Sequence, residues 1–170
     1  MYRRGLAGRA YVFAMIVSFL APAICAGQAG GAKVLTGDQQ AIHDYILTMD
    51  KVSKYVATAT KLVAATKTDP VLADEVKKIG DAKVPNLEKV LMAQQSPHVA
   101  AFLKTNGITE RDFVMTPLTW FSAQDAFEGQ MNHKPVQDFI NPANLKFVRE
   151  HQSELEKYQK ASAGTSSASD

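Results

Sequence analysis

The chain has 170 residues, of which 46% are hydrophobic and 21% charged, with 19 basic residues, 17 acidic residues and one cysteine. This length and apolar content suffice for one compact domain of ordinary size. A single cysteine excludes an internal disulfide and a zinc site built from several thiolates.

The first 26 residues have the pattern of a secretory signal peptide. Arg3, Arg4 and Arg9 precede an apolar run at 10–20, and small residues follow as far as Ala26. The run is shorter than the roughly 20 apolar residues that a membrane-spanning helix needs. We therefore expect cleavage near Ala26 and export to the periplasm or the exterior. An uncleaved anchor and lipidation at Cys25 are the alternatives.

Cleavage at that point changes the charge and the cysteine content. Loss of 26 residues with three arginines and no acid leaves 144 residues, 16 of them basic and 17 acidic, with a formal charge of −1. The basic excess therefore belongs to the leader, and we expect no nucleic-acid partner. We also expect no transmembrane span and no disulfide in the mature chain.

The domain is predicted to begin at Thr36, after a flexible lead-in at 27–35 that is rich in Gly and Ala. Thr36 and Gln39 have the spacing of a capping box. Apolar residues then recur at alternating spacings of three and four, at Ile42, Tyr45, Met49, Val52, Val56, Ala59 and Val63. This seam predicts one continuous helix from Asp38 to about Lys67, packed lengthwise in a bundle. A second helix that begins at Met49, capped by Thr48, is the alternative.

Three shorter helices are predicted to begin at prolines. Asp69-Pro70 and Ser96-Pro97 combine an N-cap with a proline in the first turn, and Gly80 and Gly107 mark the ends of these helices. Between them, Val84-Pro85 begins a helix through about Ala93. Its predicted inward residues are Leu87, Val90 and Leu91.

The stretch from Thr109 to Met131 is predicted to be the central helix. Thr109 can cap it, and Glu110 and Asp112 place negative charge in the first turn, where the helix dipole favours it. Its apolar residues extend nearly all round, which is typical of a helix buried among others. Pro117 lies inside the stretch and predicts a kink.

A polar break at Asn132–Pro135 follows, then a short apolar turn at 136–140 and a last helix that begins at Asn141-Pro142. The inward residues of that helix are predicted to be Leu145, Val148, Leu155 and Tyr158. The tail from Ala161 is small and polar and is predicted to be disordered. No segment alternates as a strand would. The predicted fold is all-α, with five or six helices in a single domain at 36–160 around a buried, Pro-kinked central helix.

The segment Leu35-Thr36-Gly37-Asp38-Gln39 spells LTxxQ. Behind a signal peptide in a small helical chain, this motif resembles the Spy/CpxP-like periplasmic chaperones, and the resemblance implies binding of client peptides. It covers five residues. The second copy and the strongly charged surface of that family are not visible here, and a capping box produces the same letters. The chain also resembles small exported helical bacterial proteins in general, which implies no mechanism.

Metal and haem sites find little support among the four histidines. His151 with Glu154 could form half of a metal site on a helix. The chain has no paired Glu-x-x-His, no HExxH and no CxxCH. We predict no metal ligands, and the sequence identifies no cofactor.

Motifs for catalysis are also absent. There is no GxSxG and no Gly-rich phosphate loop. A chorismate-mutase-like helical enzyme would need several converging cations, whereas Arg111 and Arg149 are the only arginines after the leader. We predict no catalytic residues.

The best candidate for a site is an apolar pocket on the central helix. A proline that frees a carbonyl, a flexible methionine and a Trp-Phe pair occur together there. The candidate residues are Met115, Pro117, Trp120, Phe121 and Phe127. We therefore favour a non-catalytic binding or interaction module whose partner is an apolar small molecule or a client peptide. A structural envelope protein comes second, and a small helical enzyme or a metal- or haem-binding bundle third.

Overall fold

The computed structural model describes residues 35–133 and 135–164, with side chains as far as residue 160. The predicted signal peptide, the lead-in before Leu35, Cys25, Lys134 and the residues 165–170 of the predicted tail lie outside the described residues.

The described ranges contain helices and no strand, which confirms the all-α prediction. Seven helices are present in them, where five or six were expected. They are α1 (Gly37–Asp44), α2 (Met49–Ala65), α3 (Pro70–Asp81), α4 (Asn86–Gln95), α5 (Pro97–Thr105), α6 (Glu110–Met131) and α7 (Pro142–Gly164). All seven contribute side chains to one hydrophobic core.

The predicted long first helix is wrong, because the chain leaves the helical conformation between Asp44 and Met49. Tyr45 and Thr48 both have extended backbone angles, and the Thr48 hydroxyl caps α2 by accepting from the Lys51 amide. The capping box of Thr36 and Gln39 is confirmed, with both reciprocal hydrogen bonds present. Capping at Thr48, the alternative interpretation, is therefore the correct one.

The break at 45–48 is held by asparagines at the start of α7. Asn144 is 1% exposed; its Oδ1 accepts from the Leu47 amide at 2.9 Å, and its Nδ2 donates to the Tyr45 carbonyl at 2.8 Å. Asn141 donates to the His43 carbonyl at 2.7 Å. The backbone groups that the break takes out of the helical ladder thus find partners across the core.

The central helix is confirmed as α6, which packs against α1, α2, α4, α5 and α7. Thr109 caps it, and its helical assignment continues through Pro117 to Met131. Proline has no amide hydrogen, so the Phe113 carbonyl lacks the α-helical partner that position 117 would otherwise supply. The kink at Pro117 stays a prediction. The buried residues of α6 are Met115, Thr116, Pro117, Thr119, Trp120, Ser122 and Ala123.

Two of the short helices receive their N-terminal caps from other helices. The Asp38 carboxylate of α1 accepts from the Asn86 and Leu87 amides of α4 at 2.7 and 3.2 Å. The Glu75 carboxylate of α3 accepts from the His98 and Val99 amides of α5, each at 3.0 Å. By contrast, Asp69 caps its own helix α3, as the sequence predicts.

The predicted inward face of α4 is correct for Val90, which is buried, and for Leu87, which packs partly against the core, but wrong for Leu91, which is 54% exposed. Lys89 and Ala93 are buried in addition to Val90. The aliphatic stem of a lysine can line a core while its ammonium reaches a polar partner. Here the Lys89 ammonium donates to the Gly80 carbonyl at the end of α3. This bond satisfies the buried ammonium of Lys89 at the end of α3.

Helix α7 begins at the predicted Asn141-Pro142, and three of the predicted inward residues, Leu145, Val148 and Leu155, are buried. Tyr158 packs partly against the same core. The helix runs to Gly164, four residues into the segment predicted to be a disordered tail. At His151 the backbone departs from helical angles, with φ −112° and ψ 15°.

We expect Asn144→Ala to lower the free energy of unfolding by about 1–3 kcal/mol or more, because it leaves the Leu47 amide and the Tyr45 carbonyl buried without partners. Urea unfolding of the full chain would measure this loss. Asn132→Ala is the control: it removes one exposed hydrogen bond, to the Glu128 carbonyl at the end of α6, and should cost only about 0.5 kcal/mol because water can replace that bond. Equal effects of the two substitutions would contradict the role given to Asn144.

We expect Glu75 to make the fold sensitive to acid. Burial opposes ionisation of this carboxyl, but hydrogen bonds from the His98 ring and from the Val99 and His98 amides outweigh burial and hold the pKa of Glu75 below its ordinary value. A depressed pKa in the folded chain stabilises it above the unfolded pKa of about 4.3, and this contribution is lost as the pH falls through the folded value.

Glu75→Gln should therefore lower the melting temperature at neutral pH and flatten its fall between about pH 5 and pH 3. Thermal unfolding across that range measures both effects. Asp74→Asn removes a charge from the neighbouring, exposed position and serves as the control. If the melting temperatures of the wild type and Glu75→Gln fall in parallel with pH, the Glu75 cap of α5 contributes no pH dependence to stability.

Candidate functional site

The structure places the five predicted pocket residues on α6 but not on one face. Met115 and Trp120 are each 1% exposed and Pro117 is also buried, whereas Phe127 is half-buried against the core and Phe121 is half-buried. At 3.6 residues per turn, Pro117, Trp120 and Phe127 share one side of the helix. Phe121, one turn after Pro117, lies beside it, whereas Met115 faces away from the side that holds Trp120 and Phe127.

The Trp-Phe pair forms a stack along the helix surface. The rings of Trp120 and Phe121 are nearly parallel, with an interplanar angle of 10° and centroids 5.1 Å apart. Such an offset stack stabilises its rings beyond the apolar area that they bury. Trp120 lies on the core side of the pair, and Phe121 retains partial exposure.

The polar atoms beside this stack are the most unusual feature of the described chain. Thr119 Oγ1, Trp120 Nε1 and Ser122 Oγ are buried and have no hydrogen-bond partner among the described residues. The three residues are 1%, 1% and 6% exposed. Thr119 and Ser122 are three positions apart and share one side of α6, with Met115 one turn before Thr119.

Leaving these atoms unpartnered is energetically costly. A buried donor or acceptor without a partner costs about 1–3 kcal/mol, and such groups are few in native proteins, where each calls for an explanation. Three of them fall within four consecutive residues of the most buried helix. Valine, phenylalanine or alanine at these sites would avoid this cost, so the two hydroxyls and the indole call for an explanation.

Sequence reasoning identified Trp120 and missed Thr119 and Ser122. The available signal was the presence of hydroxyl side chains within the otherwise uncharged, largely apolar segment 113–124. Hydroxyls in buried helices are commonly satisfied by a carbonyl one turn earlier. The pattern alone therefore does not tell a satisfied hydroxyl from an orphaned one.

A second polar cluster, at the start of α6, is fully hydrogen-bonded. The Tyr45 hydroxyl lies 2.6 Å from Asp112 Oδ1, to which it donates, and 2.8 Å from Thr116 Oγ1. Asp112 Oδ2 also accepts from the Thr109 hydroxyl at 2.8 Å, and the Asp112 amide donates to the same hydroxyl oxygen at 3.0 Å. The Lys51 ammonium lies 4.1 Å from the centre of the Tyr45 ring.

Burial and hydrogen bonds in this cluster keep the Tyr45 hydroxyl protonated and the Asp112 carboxyl ionised near neutral pH. Burial, followed by the hydrogen bond to Asp112, raises the pKa of Tyr45 above its ordinary value. Burial opposes ionisation of Asp112, but the hydrogen bonds from Tyr45 and Thr109 prevail and hold the pKa of Asp112 below its ordinary value. A tyrosine that stays protonated and a carboxylate that stays ionised form a structural clamp between the 45–48 break and α6.

Three of the four histidines are each paired with a single carboxylate. His151 Nδ1 lies 3.2 Å from Glu154, the pair that could form half of a metal site, and His98 Nδ1 lies 2.9 Å from Glu75. His43 lies 3.2 Å from Asp44. Over the described residues, no group of three or more His, Cys, Asp or Glu side chains is placed to hold a metal ion.

Comparison with known proteins adds no relative. No protein-family model, curated protein or solved structure matches this chain. Among the described helices, none combines the length and the apolar character needed to cross a membrane. The case for a function therefore depends on the geometry of α6.

Thr119 and Thr116 form a matched pair for testing the orphaned hydroxyls: both are buried on α6, and among the described residues Thr116 has a hydrogen-bond partner and Thr119 has none. We expect Thr116→Val to lower the free energy of unfolding by about 1 kcal/mol through loss of the bond to Tyr45. Thr119→Val should leave stability unchanged or raise it by up to about 1 kcal/mol, because it removes an unsatisfied group.

Chemical unfolding of the two variants and the wild type would measure the difference. If Thr119→Val destabilises the chain as much as Thr116→Val does, the Thr119 hydroxyl has a partner in solution, and the site loses one of its three markers.

Proposed function

We propose that this protein is a non-catalytic binding module that holds a small molecule against the middle of α6. The observation that carries the proposal is the pair of buried hydroxyls on Thr119 and Ser122, which have no hydrogen-bond partner among the described residues. Ligand sites are mostly apolar and contain a few polar groups that set the orientation of the bound molecule. Met115, one turn before Thr119 on the same side of α6, would supply an apolar part of such a lining.

Burial favours a small molecule over a client peptide. Met115 and Trp120 are each only 1% exposed, so these side chains offer no surface on which a peptide could dock. A small molecule can be enclosed when neighbouring helices separate briefly, since local opening requires less free energy than global unfolding.

The chemistry of the hydroxyls supports binding over catalysis. A serine or threonine nucleophile needs a base within hydrogen-bond reach. Neither Thr119 Oγ1 nor Ser122 Oγ has a partner of any kind among the described residues. The carboxylate nearest in sequence on the same helix, Asp125, is exposed.

The proposed setting is outside the cytoplasm. The arginine-flanked apolar run and the small residues up to Ala26 support export. A domain of this kind, without a disulfide, would bind its ligand after release from the leader.

Native mass spectrometry of the protein purified from its own cells tests the proposal. We expect a retained small-molecule mass that is lost in a Thr119→Val/Ser122→Ala double variant, because this variant removes both hydroxyls without opening a large cavity. Ser153→Ala, at an exposed position on α7, is the control and should keep the bound mass.

Trp120→Ala is unsuitable for this purpose, since truncation of a buried aromatic costs about 3–5 kcal/mol and would unfold the chain together with its site. A wild-type protein that carries no bound mass, and whose Trp120 emission is unchanged by uncharged apolar probes, would contradict the proposal.

A further inference from the structure

We infer that Asn106 is a site of spontaneous covalent modification, at which the Gly107 amide nitrogen attacks the Asn106 side chain and converts it to aspartate or isoaspartate. The turn between α5 and α6 restrains this reaction while the chain is folded. The site lies at the end of α5, outside the proposed binding site on α6, and does not depend on a ligand.

The sequence of this turn favours the reaction. Asn106 precedes Gly107, and glycine has no β-carbon, so its amide nitrogen can approach the preceding side chain with little steric hindrance. The other asparagines of the chain precede leucine, histidine or proline; they are Asn86, Asn132, Asn141 and Asn144. Asn106 is therefore the asparagine of this chain that is most open to attack by the next amide.

The reaction is a substitution at the side-chain amide carbon. A bond forms between the Gly107 nitrogen and Asn106 Cγ, and the bond from Cγ to Nδ2 breaks. The proton of the Gly107 amide passes through solvent to the leaving nitrogen, which departs as ammonia, and a succinimide ring remains. Water then opens the ring. Cleavage at Cγ gives aspartate, whereas cleavage at the main-chain carbonyl gives isoaspartate, whose main chain is longer by one methylene group.

The folded turn keeps the two reacting groups apart. The ψ of Asn106 is 6°, which places the Gly107 nitrogen in line with the Asn106 nitrogen and away from the β-carbon, where ring closure requires it. The Gly107 amide donates to the Lys104 carbonyl at 3.1 Å. Asn106 Nδ2 donates to the Phe102 carbonyl at 2.9 Å, and Oδ1 accepts from the Lys61 ammonium at 3.1 Å. The reaction therefore requires the turn to open.

Ile108 attaches this turn to the core. Its side chain is 6% exposed, its amide donates to the Leu103 carbonyl at 3.2 Å, and the next residue, Thr109, caps α6. Opening of the turn draws Ile108 out of its contacts, so its burial contributes to the free energy of opening. Isoaspartate at position 106 would lengthen the connection just before Ile108 and would weaken the attachment of α5 to the central helix.

A second asparagine occupies the same position at the end of α6 and provides an internal control. Asn132 Nδ2 donates to the Glu128 carbonyl, four residues earlier, at 2.9 Å, as Asn106 does to the corresponding carbonyl of α5. His133 follows with a φ of 56°, and Gly107 with a φ of 69°. The two caps thus share their geometry, and the β-carbon of the next residue distinguishes them.

Peptide mass spectrometry of the full chain, incubated at mildly alkaline pH with and without urea, tests the inference. We expect aspartate and isoaspartate to accumulate at Asn106 in urea, and about tenfold or more slowly in the folded chain, because the turn must open first. Asn132 should stay unmodified in both. His133→Gly removes the hindering β-carbon, so this variant should make Asn132 react in urea at a rate comparable to that of Asn106.

Two matched substitutions test whether the turn itself controls the reaction in the folded chain. Ile108 and Ile140 are each 6% exposed, and Ile→Val removes the same methylene group from both. Ile108→Val should accelerate modification of Asn106 by roughly two- to tenfold, since it weakens the contact that holds the turn closed. Ile140→Val, which lies outside the turn, should leave the rate unchanged.

Four outcomes would overturn the inference. Asn106 that stays unmodified in urea is not a reactive site, and equal rates with and without urea would show that the turn gives no protection. Equal acceleration by Ile108→Val and Ile140→Val would assign the control to global unfolding. An unreactive Asn132 in His133→Gly would remove the role given to the glycine.

Discussion

The buried amide of Asn144 is the interaction on which the arrangement of the helices depends. Its two hydrogen bonds satisfy the Leu47 amide and the Tyr45 carbonyl, 97 and 99 residues away in sequence. With these groups satisfied, the chain can leave the helix at Tyr45 in the interior of the protein. Tyr45 then directs its hydroxyl to Asp112 and Thr116, which ties the break to the central helix. The last helix thus decides where the first helix ends.

The same dependence on distant partners appears at the short helices. Asp38 of α1 caps α4, and Glu75 of α3 caps α5. Neither α4 nor α5 has a side-chain cap of its own, and isolated helices of their lengths are marginal in water. These helices are therefore stabilised only after the elements that cap them have packed, so that folding of the domain is cooperative across its length.

The middle of α6 differs from the rest of the described core in the hydrogen bonding of its buried polar side chains. Elsewhere the buried polar side chains of Asn144, Thr116 and Lys89 have partners across the core. At Thr119, Trp120 and Ser122 the corresponding groups have none among the described residues. A place where local chemistry conflicts with an otherwise consistent fold is where function is to be expected, and the conflict here lies on the helix with neighbours on most sides.

The sequence by itself determined those features that depend on neighbours along the chain. The capping box of Thr36, the caps at Thr109 and Asp69, and the burial of the Thr109–Met131 helix all follow from residues within one or two turns of each other. Trp120 could be singled out in the same way, as the only tryptophan in an apolar segment. Only the tertiary structure decided the break at Thr48, the exposure of Leu91 and the unpartnered state of Thr119 and Ser122. The heptad continues through the break, so it does not predict the break. Asn144 stabilises the break by hydrogen-bonding the Leu47 amide and the Tyr45 carbonyl. Likewise, whether a buried hydroxyl has a hydrogen-bond partner depends on which atoms of other helices lie beside it, and the local sequence does not predict those atoms.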